Sequence, residues 1–453
     1  MTRLPTISTF TTTFAAALAT TALCHVAQAN PILGALGEIK PIADFRVRSE
    51  YVDQNPPPAA LTEHANAVIA RGRLGIETGK AWNTSLLVEG EFVTPLQSDY
   101  RSDTSVRGYA YYPVIADPES YEVNRAQFTN TSLPNTAITL GRQRIVLDDQ
   151  RFVGNVGWRM NEQTYDALRV VPKFFNNNLT VDATYINRVN RVFGPDSPQG
   201  DYKGDIYLGN VAYQFKPGKL TGFAYLLDFD PITTFTTGPG LNATQRAGLN
   251  PARVSSKTFG ARFAGSYNIS KIKLAYAASW AQQKDYGSYD TTGRPDFNND
   301  YYLAELTGTF RQWSLGVGVE NLQGDGVQAF QTPLATLHKF QGWVDKFLTT
   351  PANGIDDRYV TAGFQTKSLM PFETVALTAV YHTYESERLS QDYGDEINLQ
   401  VAAKWSRFTG TLKYGAYNID KPLQLVASTP TVNNAFSTLA DTKKWWVQLD
   451  YVW

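Results

Sequence analysis

Alternation of apolar and polar residues with a period of two recurs from Ala43 to the last residue, Trp453, and few folds absorb that pattern over such a length. Ala43, Phe45, Val47 and Tyr51 share one face of a strand, with Asp44, Arg46, Arg48 and Glu50 on the other. Leu74 and Ile76 oppose Arg71, Arg73 and Glu77, while Leu86, Val88 and Phe92 oppose Glu89 and Glu91. Near the C-terminal end, Ile397, Leu399, Val401, Ala403 and Trp405 oppose Glu396, Asn398, Gln400 and Lys404. Successive side chains of a strand point to opposite faces, so each segment has one oily face and one polar face.

The spacing is equally regular. Short links at 78–83, 132–135, 216–219, 270–271, 311–313 and 407–409 alternate with longer polar connections at 54–64, 95–120, 145–163, 231–255, 324–356 and 421–441. Short turns at one rim and long loops at the other are the outer-membrane barrel arrangement. The count comes to roughly eighteen strands, each with its connection taking about 23 residues, which suits tilted spanning strands of about 9–11 residues. Aromatics make up 13% of the chain while mean hydropathy is −0.30, as expected where outward apolar and inward polar residues average out. A soluble sandwich or solenoid would show similar averages, so the pattern decides. In the final strand Trp445, Val447, Leu449, Tyr451 and Trp453 alternate with Trp446, Gln448, Asp450 and Val452. That ending resembles the insertion signal read by the barrel assembly machinery. The expected fold is all-β: a transmembrane antiparallel β-barrel of about 18 strands, with short periplasmic turns and long extracellular loops.

Residues 1–29 read as a secretory signal peptide. Arg3 precedes the apolar run Phe14 to Leu23, and Ala27-Gln28-Ala29 offers small residues at a cleavage site. Leu23 stands where a lipoprotein signal needs a small residue, so Cys24 is expected to leave with the signal. Residues 30–453 then form one barrel domain without cysteine, placed in the outer membrane of a Gram-negative bacterium. Its expected partners are outer-membrane lipids and lipopolysaccharide, the assembly machinery that reads the strand ending at Trp453, and a permeating solute. The formal charge of −1 gives no argument for nucleic acid.

With the polar faces turned inward, the expected pore-lining residues are Arg46, Arg48, Arg71, Arg73, Glu89, Glu91, Arg125, Asp182, Arg188, Arg262, Glu320, Lys367, Glu396, Lys404 and Lys413. Cations outnumber acids among them, and cationic rings in a narrow pore favour anions. The plainer reading is that these charges neutralise one another across strands, for instance Arg71 and Arg73 with Glu89 and Glu91. Arg142 and Arg144 share a face with Ile138 and Leu140, so the strand has ended there or a bulge re-aims them. The connection 324–356 carries His338, Trp343, Asp345 and Phe347, too aromatic for a solvated loop. It is expected either to fold inward as a constriction or to pack on the rim.

No catalytic set emerges. His25 lies in the signal, His64 in a polar loop, and His338 and His382 lack metal-ligand spacing. Ser386 near His382 has no triad geometry on a hairpin. Asp148, Asp149 and Gln150 lack the ordered spacing of a calcium loop and read as loop caps. Neither a cofactor nor a metal is expected.

Four stretches bear a resemblance to a known family: Gly141–Gly154 continuing through Asn161–Asp166, Thr258–Arg262, Glu320–Asp325 followed by His338–Phe347, and Tyr381–His382 followed by Tyr393–Glu396. Together they resemble the alginate export family of outer-membrane porins. The resemblance implies an eighteen-stranded barrel with an arginine-rich lumen that passes an anionic polyuronate. One departure is the inward row Ala275, Ala277, Ser279, where a larger polar residue is expected, and it leaves the cargo open. Three functions follow as expectations. The first is an anion-selective channel for anionic or polar solutes, with an exported polyuronate such as alginate as its most specific form. The second is an uptake porin for small carboxylates, sugars or aromatic acids. The third is a non-transport structural or adhesive barrel.

Overall fold

The computed structural model describes residues 31–55, 62–102, 112–232, 249–367, 369–419 and 439–453. The expected signal segment, with Cys24 and His25, lies outside the described residues. A short helix, α1 (Pro31–Gly37), precedes the first strand. The strands of the first third are β1 (Lys40–Asn55), β2 (His64–Glu77), β3 (Thr84–Asp99), β4 (Ser120–Asn130), β5 (Thr136–Gln143) and β6 (Thr164–Phe174). Then come β7 (Leu179–Asn190), β8 (Asp201–Gln214), β9 (Gly218–Phe229), β10 (Ser256–Ile269), β11 (Ile272–Asp285) and β12 (Asn298–Phe310). The last are β13 (Trp313–Leu322), β14 (Ile355–Thr366), β15 (Thr374–Glu385), β16 (Asp392–Trp405), β17 (Phe408–Asn418) and β18 (Asp441–Val452).

Each strand pairs antiparallel with its sequence neighbours in one 18-stranded sheet, and β1 closes on β18 from Asp44↔Val452 to Asn55↔Asp441. Closure leaves no open edge, which a barrel in hydrocarbon requires because lipid offers no partner to an unpaired amide. The expected eighteen-stranded barrel is therefore the fold. Links at one end are short, such as Ser270-Lys271 between β10 and β11, and those at the other are long. No helix among the described residues is long and apolar enough to cross a membrane.

The alternation read from sequence maps onto the two faces of the wall. Phe45, Val47, Leu74, Val88 and Phe92 are exposed on the outside, while Arg48, Glu50, Arg71, Arg73, Glu89 and Glu91 are buried inside. A register shift at Glu89/Gly90 inserts an extra residue in β4, so Asn124 and Arg125 both serve the interior. Outward aromatics pair across strands, as Tyr414 does with Trp445 (centroids 4.1 Å) and Trp313 with Phe364 (4.7 Å).

The main apolar core lies inside the barrel. It joins inward residues of β6 to β9, such as Tyr165, Ile206, Phe223 and Phe229, to Phe330, Leu334, Val344 and Phe347 from the 323–354 connection. Val447, at mid-length of β18, is 59% exposed on the outer face. Val447→Arg is expected to cost about 2–4 kcal/mol in a bilayer. Equilibrium unfolding from lipid vesicles measures this, and a cost below about 1 kcal/mol would place that residue at the interface instead.

Candidate functional site

Two long connections, 144–163 and 323–354, turn into the barrel and meet there. Val153 and Leu334 form a parallel bridge, and the Gly154 amide donates to the Leu334 carbonyl at 2.9 Å. The Thr336 hydroxyl lies 2.6 Å from Gln150 Oε1 and accepts the Val156 amide at 3.1 Å. The approach is tight enough that a Cβ on Gly154 would sit 2.3 Å from Thr336 Oγ1. Phe152 fills the space behind with ring contacts to Phe223, Tyr225, Tyr301 and Phe330. Of the two positions open to the His338–Phe347 stretch, the inward one is occupied, and Phe347 packs against Tyr384 at 4.7 Å. Gly342 makes this possible: its φ is +81°, and a Cβ there would meet Glu396 Oε2 at 2.4 Å.

Most of the charges expected in the lumen are engaged with these connections or with one another. Arg46 reaches Asp450 at 2.7 Å and donates to the carbonyls of Gly157 and Trp158. Arg48 donates to the Trp158 carbonyl and to Gln448, with Asp117 at 3.4 Å and the Trp158 ring 4.0 Å from its guanidinium. Arg71 pairs with Asp44, Arg73 with Glu91, and Arg125 with Glu89 at 2.7 Å. Asp182 holds Arg169, and Arg262 bridges Asp149 (2.9 Å) and Ser279. Glu320 receives Arg151 at 2.6 Å and Tyr301 at 2.8 Å, and Glu396 accepts the Val344 amide. Mutual neutralisation, the plainer reading, describes these pairs.

Three residues sit elsewhere than a narrow lumen. Lys367 lies just past the end of β14, exposed in the wall of a turn-side cavity of about 860 Å³ with Thr309, Ser314, Gln365 and Thr378. Lys404 is exposed at the turn-side rim, 3.6 Å from Glu373. Arg188 pairs with Asp201 beside a register shift at the loop end of β7. For the two lysines the alternation continues in sequence beyond the point where the wall encloses the side chain, and for Arg188 the register shift re-aims it. Arg142 keeps the parity of Leu140 and pairs with Asp166 at 2.7 Å; β5 has ended before Arg144, which pairs with Glu162.

Sequence reasoning missed Arg151, Trp158, Arg159 and Glu162, although Phe152 and Trp158 in a long connection were a signal of the same kind as Trp343. Burial alone would raise the Glu162 carboxyl, but Arg73 and Arg144 hold it down to about 2. Arg159 reaches Asp345 at 2.6 Å, joining the two connections by charge. At their centre His338 stacks on Trp158 (4.6 Å, 2°), with Trp446 edge-on at 5.9 Å. Its Nδ1 lies 2.8 Å from Asp345 Oδ1 and its Nε2 2.7 Å from Lys413 Nζ. The ammonium has only protons to give, so Nε2 accepts, Nδ1–H donates to Asp345, and the ring is neutral. Burial pushes His338 down to about 3 against the pull of Asp345, with Lys413 and Arg159 adding to the depression. Burial opposes ionisation of Asp345 too, yet His338, Arg159 and Lys444 hold its carboxyl well below the usual range.

Nearer the loop end stands a different arrangement. Arg191 lies 4.1 Å over Tyr202 and 4.9 Å over Phe193, and donates to the Gln199 carbonyl. Arg294 donates to Gln328 Oε1 at 3.0 Å. Arg253, on the short turn Pro251–Val254, is in electrostatic reach of both. Burial first, offset in part by Tyr202, and then Arg294 and Arg191 push its guanidinium below the ordinary value. Among the described residues none of the three has a carboxylate partner. Asp285, Asp290 and Asp296 also lie close together at this end, two of them exposed. Asp148 and Asp149 cap and pair as expected of loop acids, Asp148 with Lys219 at 2.6 Å.

No family model matches the chain, and no curated protein does. The likeness to the alginate export family is therefore unsupported. Similar folds occur among solved structures. OccK9 (OpdG) of Pseudomonas aeruginosa is 13% identical with a TM-score of 0.66, over 92% of this chain and 99% of that one. A BenF-like porin from Pseudomonas fluorescens Pf-5 is 11% identical with a TM-score of 0.64, over 93% and 100%. OccK2 (OpdF) of P. aeruginosa, solved in complex with glucuronate, is 11% identical with a TM-score of 0.57, over 91% and 98%. At these identities the likeness establishes the shared barrel.

The His338 geometry sets a pH dependence. A group whose folded pKa is depressed to about 3 contributes its full stability above about pH 6.5 and loses it as pH falls toward 3. Lys346, lowered by burial to about 7, titrates above this window, and Glu162, held down to about 2, contributes only from its ordinary value of about 4.5 downward. Hydrogen-exchange protection of residues 337–347 is expected to weaken by up to about 1.4 kcal/mol per pH unit between pH 6 and 4. His338→Gln should flatten that slope. An unchanged slope in the variant would assign it to other groups.

Proposed function

We propose that this protein is an outer-membrane channel for the uptake of small carboxylates. The observation that carries the reading is the trio Arg191, Arg253 and Arg294 at the loop end. The charged side chains deeper inside are largely neutralised in pairs, whereas Arg253 lies within electrostatic reach of Arg191 and Arg294 and, among the described residues, none of the three has a carboxylate partner. Uncompensated cations at a low-dielectric mouth concentrate anions there, and a guanidinium matches a carboxylate with two parallel hydrogen bonds. Tyr202 and Phe193 beside Arg191 supply flat apolar surface for the rest of a small organic acid.

Two further observations favour single small solutes over an exported polymer. The interlocked connections cross the interior, which suits a solute passing one at a time. The OccK2 barrel was solved with glucuronate, one sugar acid rather than a polyuronate chain. In this reading the apolar outer wall meets lipid and lipopolysaccharide, and the strand ending at Trp453 serves assembly.

The test is flux through purified protein in vesicles and reversal potential in a planar bilayer, with benzoate against neutral benzamide. Benzoate flux is expected to saturate, and conductance to prefer anions. Replacing Arg191, Arg253 and Arg294 by Gln should raise the half-saturating benzoate concentration roughly tenfold and leave benzamide flux unchanged. Non-selective conductance in the wild type would sink the carboxylate reading. A barrel that never conducts would favour a structural or adhesive role.

A further inference from the structure

The interior is closed in two chemically different ways. Toward β6–β14 the inward connections press a dry apolar cluster onto the wall, with Phe152, Phe223, Tyr301, Phe330 and Leu334 in mutual contact. Separating those surfaces would expose large apolar areas at roughly 25 cal/mol per Å². Toward β16, β17, β18 and β1 the contact is mixed: Phe347 packs on Tyr393 and Tyr417 at one end, and around Lys413 the contact is polar. Lys413 of β17 sits 3.8 Å from the Trp343 ring and 4.1 Å from the Trp158 ring, with Trp446 of β18 at 5.5 Å. Its one close hydrogen-bond partner among these is the uncharged Nε2 of His338. Asp345, the acid that the two connections share, is bonded to His338 and Arg159 instead. Along the same seam the indole N–H groups of Trp158 and Trp446 and both carboxylate oxygens of Glu50 are buried without a hydrogen bond.

Unpaired buried polar groups are costly, and along this seam the Lys413 ammonium and the indole N–H groups of Trp158 and Trp446 are donors that an anion can satisfy. We propose that solute passes between the docked pair of connections and the β16–β18–β1 wall, and that Lys413 is the cation it meets there. The two connections stay locked to each other, and their contact with the wall opens, which parts the bonds that Arg46, Arg48 and Glu396 make to Gly157, Trp158 and Val344. A carboxylate replaces His338 as the partner of the Lys413 ammonium, exchanging a neutral acceptor for a charged one. Trp343, Trp158 and Trp446 offer ring faces to the cation and to the flat body of an organic acid. This inference rests on the carboxylate-channel reading and adds where the route runs and which side chain selects within it.

Two double variants separate the possibilities, and the chain's one cysteine, Cys24, falls in the expected signal, so no other thiol interferes. A Cβ on Gly415 would lie 2.9 Å from Val344 Cγ2, which places Val344→Cys with Gly415→Cys in reach of a disulfide across the seam. Gly154→Cys with Thr336→Cys ties the two connections together instead. Folded barrel is confirmed for each by its heat-modifiable gel mobility. Oxidation of the seam pair is expected to abolish benzoate flux, reductant to restore it, and the oxidised loop–loop pair to conduct like wild type. Undiminished flux through the oxidised seam pair overturns the route, and so does a block confined to the oxidised loop–loop pair. Lys413→Gln should lower benzoate flux several-fold relative to benzamide, with Lys413→Arg restoring most of it. Equal loss of both solutes in Lys413→Gln would make Lys413 a structural tie and overturn its selective role. If wild-type protein passes no benzoate in the same vesicles, the channel reading itself fails, and that result is read before any variant.

Discussion

Hydrogen-bond closure of the sheet is the constraint on which everything else in this molecule depends. A strand in hydrocarbon has no water to satisfy its amides, so the first and last strands must find each other. Here β1 and β18 do so over twelve residues, from Asp44↔Val452 to Asn55↔Asp441. Once the ring is shut, side chains have only two destinations, lipid or interior, and the alternation in sequence follows directly. The same closure encloses the interior, so charged residues that face inward are taken from bulk water and must find partners.

That second consequence shapes the lumen. Buried ions destabilise unless paired, and removing one partner is far worse than lacking both. The β1–β4 wall accordingly carries Arg71–Asp44, Arg73–Glu91 and Arg125–Glu89, and the inward connections bring Arg151 to Glu320 and Arg159 to Asp345. Pairing consumes the positive charge that composition suggests is available for solute. Cations left without a carboxylate among the described residues, such as Arg253 and Lys413, carry more information than the number of arginines facing in.

The fold was legible in the sequence because a period of two, held through strand after strand, fits a closed sheet and little else. Placement of Arg48, Glu91 or Lys413 on the inner face follows from that period alone. Lys367 and Lys404 show its limit: parity persists past the end of the enclosed wall, and nothing in a single sequence marks where enclosure stops. The docking of Trp158 on His338 was out of reach for another reason. It depends on two segments about 180 residues apart entering the same space, as the Thr336–Gln150 contact does, and period says nothing about which loop turns inward. Arg191, Arg253 and Arg294 lie in three separate connections, so their convergence is a property of the closed ring.

The connections that meet inside leave the ring from the β5–β6 and β13–β14 rims, which lie eight strands apart in a circle of eighteen. They therefore span something close to a diameter. A thin cylinder held in a membrane is soft toward flattening into an ellipse under lateral pressure, and a strut across the middle resists that mode more effectively than any thickening of the wall. The Val153–Leu334 bridge and the Arg159–Asp345 pair make such a strut. A tie so placed opposes flattening of the ring when the surrounding bilayer changes in tension or thickness.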